Sequence, residues 1–142
     1  PGVREQAVLA LARWGKRLKA ADRTIIQDFI RLVGEPELGV RVAAIRALGD
    51  IGGGPEVVKT LKDYLSPSAD TRLRPAVVRA LLSIDLTDPE TELPVLESLL
   101  AEPDPAVRTA AFEKLAALGA GAEALVKPLA AGLQDPNANV RA

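Results

Sequence analysis

The 142-residue chain has no cysteine, no histidine and no methionine, and only 3 % of it is aromatic. Without cysteine there is no disulfide framework, and the redox compartment goes unmarked. Without cysteine and histidine the usual ligands of zinc and other transition metals are missing, as is the common proton shuttle, so cofactor and metal chemistry are not expected. No apolar run approaches the roughly 18 residues that a membrane-spanning helix needs, and no leader peptide is expected. The chain opens on Pro1 and has no methionine at all, which reads as an excised or processed piece of something longer. A soluble, cytoplasmic setting is favoured; oligomeric state is not marked.

What is present points to helices. Hydrophobic residues make up 48 %, so with so few aromatics the core must be built from Ala, Leu, Val and Ile. That suits closely spaced helices better than a β-sandwich, which wants more β-branched and aromatic strands. The net charge of −1 argues against a dedicated nucleic-acid binder. It is unevenly spread: residues 1–31 carry seven basic and three acidic groups, a balance of +4, and the rest carries 11 basic and 16 acidic groups, a balance of −5. The imbalance could steer a partner; as a solvated surface it also fits a basic helix end at Lys16–Lys19.

Self-similarity organises the chain. Val3-Arg4, Val40-Arg41, Leu73-Arg74, Val107-Arg108 and Val140-Arg141 place arginines 37, 33, 34 and 33 residues apart. Counting the aliphatic residue as zero, offset four is Ala7, Ala44, Val77 and Ala111, and offset five is Val8, Ile45, Val78 and Phe112. Offset eight is Leu11, Leu48, Leu81 and Leu115; offset eleven is Trp14, Ile51, Ile84 and Leu118, followed by Gly15, Gly52, Asp85 and Gly119. Offsets 0, 4, 8 and 11 share one face of a 3.6-residue helix, and glycine after the last apolar residue is a stop. Another helix fills each unit, with stripes Ile25, Phe29, Val33; Val57, Leu61, Leu65; Leu96, Leu100; and Leu125, Leu129, Leu133. Asp22, Gly54-Pro55 and Asp88-Pro89 read as its starts, Glu35-Pro36, Ser66-Pro67, Glu102-Pro103 and Asp135-Pro136 as the turns, and Asp104-Pro105 as a cap. Each unit leaves an apolar face that only a stacked neighbour can bury.

An acid-Pro turn, then aliphatic-Arg six residues after the acid, then Ala and Leu at helical spacing, resembles the HEAT repeat. The short, Gly-ended helices are similar to the bacterial variety first named for phycobilisome lyases. The expected fold is all-α, an α-α superhelix of about four helix-turn-helix units over 1–142: 1–21 (partial), 22–53, 54–86, 87–119 and 120–142 (partial). Departures stand at Glu35 and Glu102, where the family's turn has Asp, at the longer turn Ser66–Thr71, and at Pro75 early in a helix. Pro75 costs a hydrogen bond unless that helix begins near Arg72.

The arginine column Arg4, Arg41, Arg74, Arg108 and Arg141 admits an anion-track reading. The resemblance implies a structural ladder instead, each arginine bonding turn acids or carbonyls of its own or an adjacent unit. Ile51-Gly52-Gly53-Gly54-Pro55 has neither a preceding strand nor a following Gly-Lys-Ser/Thr, so it reads as a linker and not a phosphate loop. Trp14, Phe29, Tyr64 and Phe112 fall at or beside periodic apolar positions and read as core. Glu90 with Glu92, or Asp85 with Asp88, has no partner base or nucleophile nearby, so no enzyme is expected.

The resemblance also implies that the second helix of each unit lines a concave surface. On a wheel centred on the buried stripe, offsets two and nine point most directly away from the core, with six beside them. The candidate partner-binding residues are therefore Val42, Pro75 and Leu82, apolar where solvent is expected, with Arg46, Arg79 and Glu113 as a charged edge. The alternative is that neighbouring second helices bury these positions against each other. The expected function is a protein-binding scaffold that takes a helix or extended peptide. Two other readings come from the resemblance alone: a nucleic-acid-binding relative of DNA-repair glycosylases, and a subunit of a bilin lyase.

Overall fold

A computed structural model describes residues 2–17, 23–52, 54–84, 89–117 and 122–141. Among them there is no β-strand. The helices are α1 (Gly2–Arg17), α2 (Arg23–Leu32), α3 (Leu38–Ile51), α4 (Pro55–Asp63), α5 (Arg74–Ser83), α6 (Pro89–Leu100), α7 (Pro105–Ala117), α8 (Ala122–Gly132) and α9 (Ala138–Arg141), with a 3₁₀ turn at Thr71–Leu73 before α5. The chain is all-α, and its helices alternate in the first-helix, second-helix order that the periodicity predicts. Two compact units divide it, Pro1–Asp85 and Leu86–Ala142.

In the first unit α1, α3 and α5 lie side by side, with α2 against α3, α4 against α5 and α2 against α4. In the second, α6 packs on α7, which also meets α8 and α9. Local chemistry sets the ends. Gly52 closes α3 at φ 72°, a left-handed conformation that favours glycine, and its N–H reaches Leu48 O at 3.1 Å. Pro55 opens α4 behind Gly54, in the first turn where its missing N–H costs nothing. Pro75 is accommodated the same way. Asp70 Oδ1 accepts from Arg72 N–H at 3.1 Å, a 3₁₀ turn follows, and Pro75 falls in the first turn of α5. Asp104 Oδ1 accepts from Ala106 N–H at 2.9 Å, the cap expected of it.

The stripe at offsets four, five and eight is buried in α3 and α5: Ala44, Ile45 and Leu48, then Val77, Val78 and Leu81. Burial goes further than one stripe. Ala43, Ala47, Ala76 and Ala80, at offsets three and seven, are buried as well. The cause is lateral packing, because α3 has α1 on one side and α5 on the other. Small side chains let the helices close up. A Cβ added to Gly49 would lie 2.7 Å from Ala80 Cα and 2.8 Å from Ala80 Cβ, closer than real atoms approach. The exposed face is therefore rotated from the one the wheel predicts. Offset nine is buried at Gly49 and half-buried at Leu82, while offset six, Arg46 and Arg79, is exposed.

Among the described residues, apolar side chains stay open at two places. Val3 is 85 % exposed, whereas its equivalents Val40 and Leu73 are buried. Both of those follow a turn from a first helix that packs in the same unit. On α8, Leu129 is 39 % and Leu133 72 % exposed, although the periodicity places them on the core stripe. Gly132 of α8 is buried with the Phe112 ring beside it, 2.7 Å from where a Cβ would sit, so α8 meets α7 on another face. Leu125, Trp14 and Leu11 lie outside the residues whose side chains are described.

Truncating Leu48 or Leu81 to Ala is expected to cost about 2–5 kcal/mol in denaturant unfolding, because each leaves a cavity in a closed core. Arg46→Ala and Arg79→Ala should change stability by less than about 0.5 kcal/mol. Gly49→Ala would gain about 1 kcal/mol on helix propensity alone. Against the α5 backbone it should instead lose roughly 1–3 kcal/mol. A net gain there would contradict the Gly49–Ala80 approach.

Candidate functional site

Two sets of side chains carry the polar chemistry of this chain: the turn arginines, and the outward face of the second helices. The first set is built by register. An arginine one residue after the column's aliphatic position sits in or near the first turn of a second helix, close to the turn that enters it.

Arg41 Nε donates to Val33 O at 3.1 Å and its Nη1 donates to Asp70 at 3.1 Å, so it joins the turn before α3 to the next one. Tyr64 Oη lies 3.5 Å from Val33 O as well, and its ring centroid is 6.0 Å from the Arg41 guanidinium carbon. Arg108 is the most complete. It donates to Glu102 O at 2.8 Å and Pro103 O at 2.9 Å in its own turn, and forks onto Asp135 of the next at 2.7 and 2.9 Å. Only 11 % of the Arg108 side chain and 8 % of the Asp135 side chain are exposed. Arg141 donates to Asp135 O at 2.7 Å and Pro136 O at 3.1 Å. Arg4 is looser, 3.6 Å from Glu35 and largely exposed. Arg74 occupies the same register position, half-buried at the start of α5.

The carboxylates respond. A hydrogen bond from Arg72, which forks onto Asp70 at 2.9 and 2.8 Å, holds the Asp70 carboxyl well below the usual aspartate range. The Arg108 fork lowers Asp135 in the same direction. Arg72 lies outside the repeating column, so the periodicity alone did not mark it; the signal was its position two residues after the turn acid.

The candidate partner-binding residues fall in both units. Val42 and Leu82 are half-buried, and Pro75, Arg46 and Arg79 are exposed, all within the first unit. Arg46, Asp50, Arg79, Ala80 and Ser83 line one concavity of 240 Å³. Glu113 is exposed in the second unit, where it lines a separate 500 Å³ hollow with Asp104, Thr109 and Asn139. Asp50 and Ser83 were not among the expected residues; the rotation of the exposed face brings them in.

The carboxylates weighed for chemistry have other roles. Glu92 is buried and meets Lys114 Nζ at 3.1 Å, linking α6 to α7. Lys114 stands at offset seven, where α3 and α5 carry buried alanines, so its column already called for a counter-ion. Glu90, Asp85 and Asp88 lie outside the residues whose side chains are described. Among the described residues no group of three or more acidic side chains could hold a metal ion, and no helix is long and apolar enough to cross a membrane.

Helix pairs repeating at about 33–37 residues, with an arginine in each turn, define an α-helical repeat array. A family model described as HEAT repeats matches residues 1–82 and again 64–142, so the two matches span the chain. The protein belongs to the HEAT-repeat family. A search of curated proteins finds no match. Proteins of this family commonly serve as interaction scaffolds and are typically non-catalytic.

The depressed carboxylates give stability a pH dependence of known sign. Asp70 and Asp135 ionise more easily folded than unfolded. Their contribution is thus fully present above the unfolded aspartate value of roughly 3.9 and is lost as pH falls through the lower folded values. Thermal melts between pH 7 and pH 2 should hold level to about pH 4 and then decline. Arg108→Ala should lower the midpoint at pH 7 and flatten the acid decline, whereas Arg4→Ala should do neither measurably.

Proposed function

We propose that this array is a protein-binding scaffold that takes a partner helix or extended peptide on the outward face of its second helices. The observation that carries the reading is the composition of that face in the first unit. Val42, Pro75 and Leu82 offer partly or fully exposed apolar surface beside the exposed charges of Arg46 and Arg79. A core column would be closed and a solvated column polar; this one is neither. Apolar anchors flanked by charges that set register are what a helix or strand needs to dock. In the second unit, taken by itself, Glu113 and Asp104 line a hollow of the opposite charge.

The test begins with affinity capture on the whole chain and mass-spectrometric identification of what is retained, followed by Leu82→Glu. Leu82 is half-buried, so the substitution places a carboxylate on the face while leaving Leu48, Leu81 and the rest of the closed core in place. The helical circular dichroism and unfolding midpoint should stay close to those of the parent. Binding of a captured protein should weaken by about 1–2 kcal/mol or more. Unfolding of the variant would reassign Leu82 to packing between helices. Unchanged stability together with unchanged binding would move the functional surface elsewhere, and retention of nucleic acid in place of protein would favour the glycosylase-like alternative.

A further inference from the structure

We infer that Arg46 and Arg79 form a two-arginine seat for a single carboxylate side chain of a protein partner, at the seam where α3 crosses α5. The inference rests on the protein-binding reading and narrows it to an acidic, apolar-flanked segment.

The seat follows from the close approach of the two helices. Gly49 and Ala80 bring the α3 and α5 backbones together, and offset six of each helix stands beside that seam. Arg46 and Arg79 occupy that offset and line the same 240 Å³ concavity with Asp50, Ala80 and Ser83. Both arginines are exposed, and neither guanidinium hydrogen-bonds or ion-pairs with a described residue. In the same unit Arg4 reaches Glu35, Arg31 reaches Asp28, and both Arg41 and Arg72 reach Asp70. Two arginines line one hollow whose single acid, Asp50, pairs with neither, and a guanidinium presents planar N–H donors that match a carboxylate.

Charge narrows the ligand. Two arginines and Asp50 give the hollow a net charge of +1, which one monoanionic group neutralises and a phosphate dianion would overcompensate. The apolar flank then favours a carboxylate side chain over a phosphodiester. Ser83 Oγ already donates to Arg79 O at 2.8 Å, so it adds no donor for a phosphate oxygen. Beside the hollow, half-buried Val42 and Leu82 and exposed Pro75 provide apolar contact. The matching ligand is a peptide with an aspartate or glutamate next to an aliphatic residue.

The experiment is a nuclear magnetic resonance titration of the full ¹⁵N-labelled chain with the capped peptide Ac-Leu-Glu-Glu-Leu-NH₂, its glutamine counterpart Ac-Leu-Gln-Gln-Leu-NH₂, and an eight-residue oligothymidylate. The acidic peptide should shift the amides of residues 46–50 and 79–83 and the Nε–Hε signals of Arg46 and Arg79. The glutamine peptide should bind about tenfold more weakly. Arg46→Gln and Arg79→Gln should each weaken the acidic peptide about fivefold or more, with melting midpoints unchanged, because both side chains are exposed. Equal binding of the two peptides overturns the carboxylate seat, as do shifts confined to other residues or tighter binding of the oligothymidylate. If Leu82→Glu abolishes peptide binding while both arginine variants bind like the parent, the protein-binding face stands and the seat does not. If the arginine variants lose the acidic peptide while Leu82→Glu retains it, the seat stands without the apolar ridge.

Discussion

A two-helix unit of this size cannot cover its own apolar surface, and the arrangement of α3 follows from that constraint. One stripe of α3 faces α2, and its flanks are closed by α1 and α5. The alanines at offsets three and seven and the glycine at offset nine are what make the flanks close enough to exclude water. Burial by neighbours on several sides means that a central second helix has little surface left for solvent. What remains in α3 and α5 is a narrow strip centred on Arg46 and Arg79, with Asp50 and Ser83 beside it. The position of the candidate binding face is a consequence of how the helices stack side by side.

The turn arginines solve a different problem. A helix-to-helix turn leaves carbonyl groups without partners at the end of one helix and the start of the next. Arg108 bonds two carbonyls of its own turn and forks onto the carboxylate of the following one, so one side chain satisfies a turn and sets the spacing of two units. Arg41 does the same through Val33 O and Asp70, with Tyr64 closing over it. Because the second contact is to a carboxylate at the tip of a side chain, the turn acid need not always be Asp: Glu35 meets Arg4, though at 3.6 Å and in solvent. The arginine column thus ties turn to turn through Arg41 and Arg108, while Arg141 bonds the carbonyls of its own turn.

Glu92 and Lys114 illustrate how a repeat position tolerates an exception. Offset seven is alanine in α3 and α5 because a neighbouring helix lies against it. In α7 it is Lys114, and the buried Glu92 of α6 supplies the opposite charge at 3.1 Å. Removing Lys114 would take the opposite charge away from the buried Glu92 carboxylate, which costs more than the pair contributes.

Much of this was legible in the sequence. The helix order, the unit length, the buried residues at offsets four, five and eight of α3 and α5, and the glycine stop at Gly52 all follow from periodicity and local backbone chemistry, which act over a few residues; Ala7 at offset four of α1 is exposed and Phe112 at offset five of α7 half-buried. The arginine column was legible too, since its spacing is the repeat itself. The direction of the exposed face was not. A helical wheel knows one buried stripe, whereas α3 is buried by several neighbours, and the close contact of Gly49 with Ala80 depends on two residues 31 positions apart. Nor could the wheel show that Leu129 and Leu133 stay exposed or that Arg72 shares Asp70 with Arg41. Which residues form helices, and which stripe each prefers to bury, is a matter of local preference and can be read along the chain. Which flanks the stacked helices close, and which charges they leave facing outward, depends on distances between helices far apart in the chain.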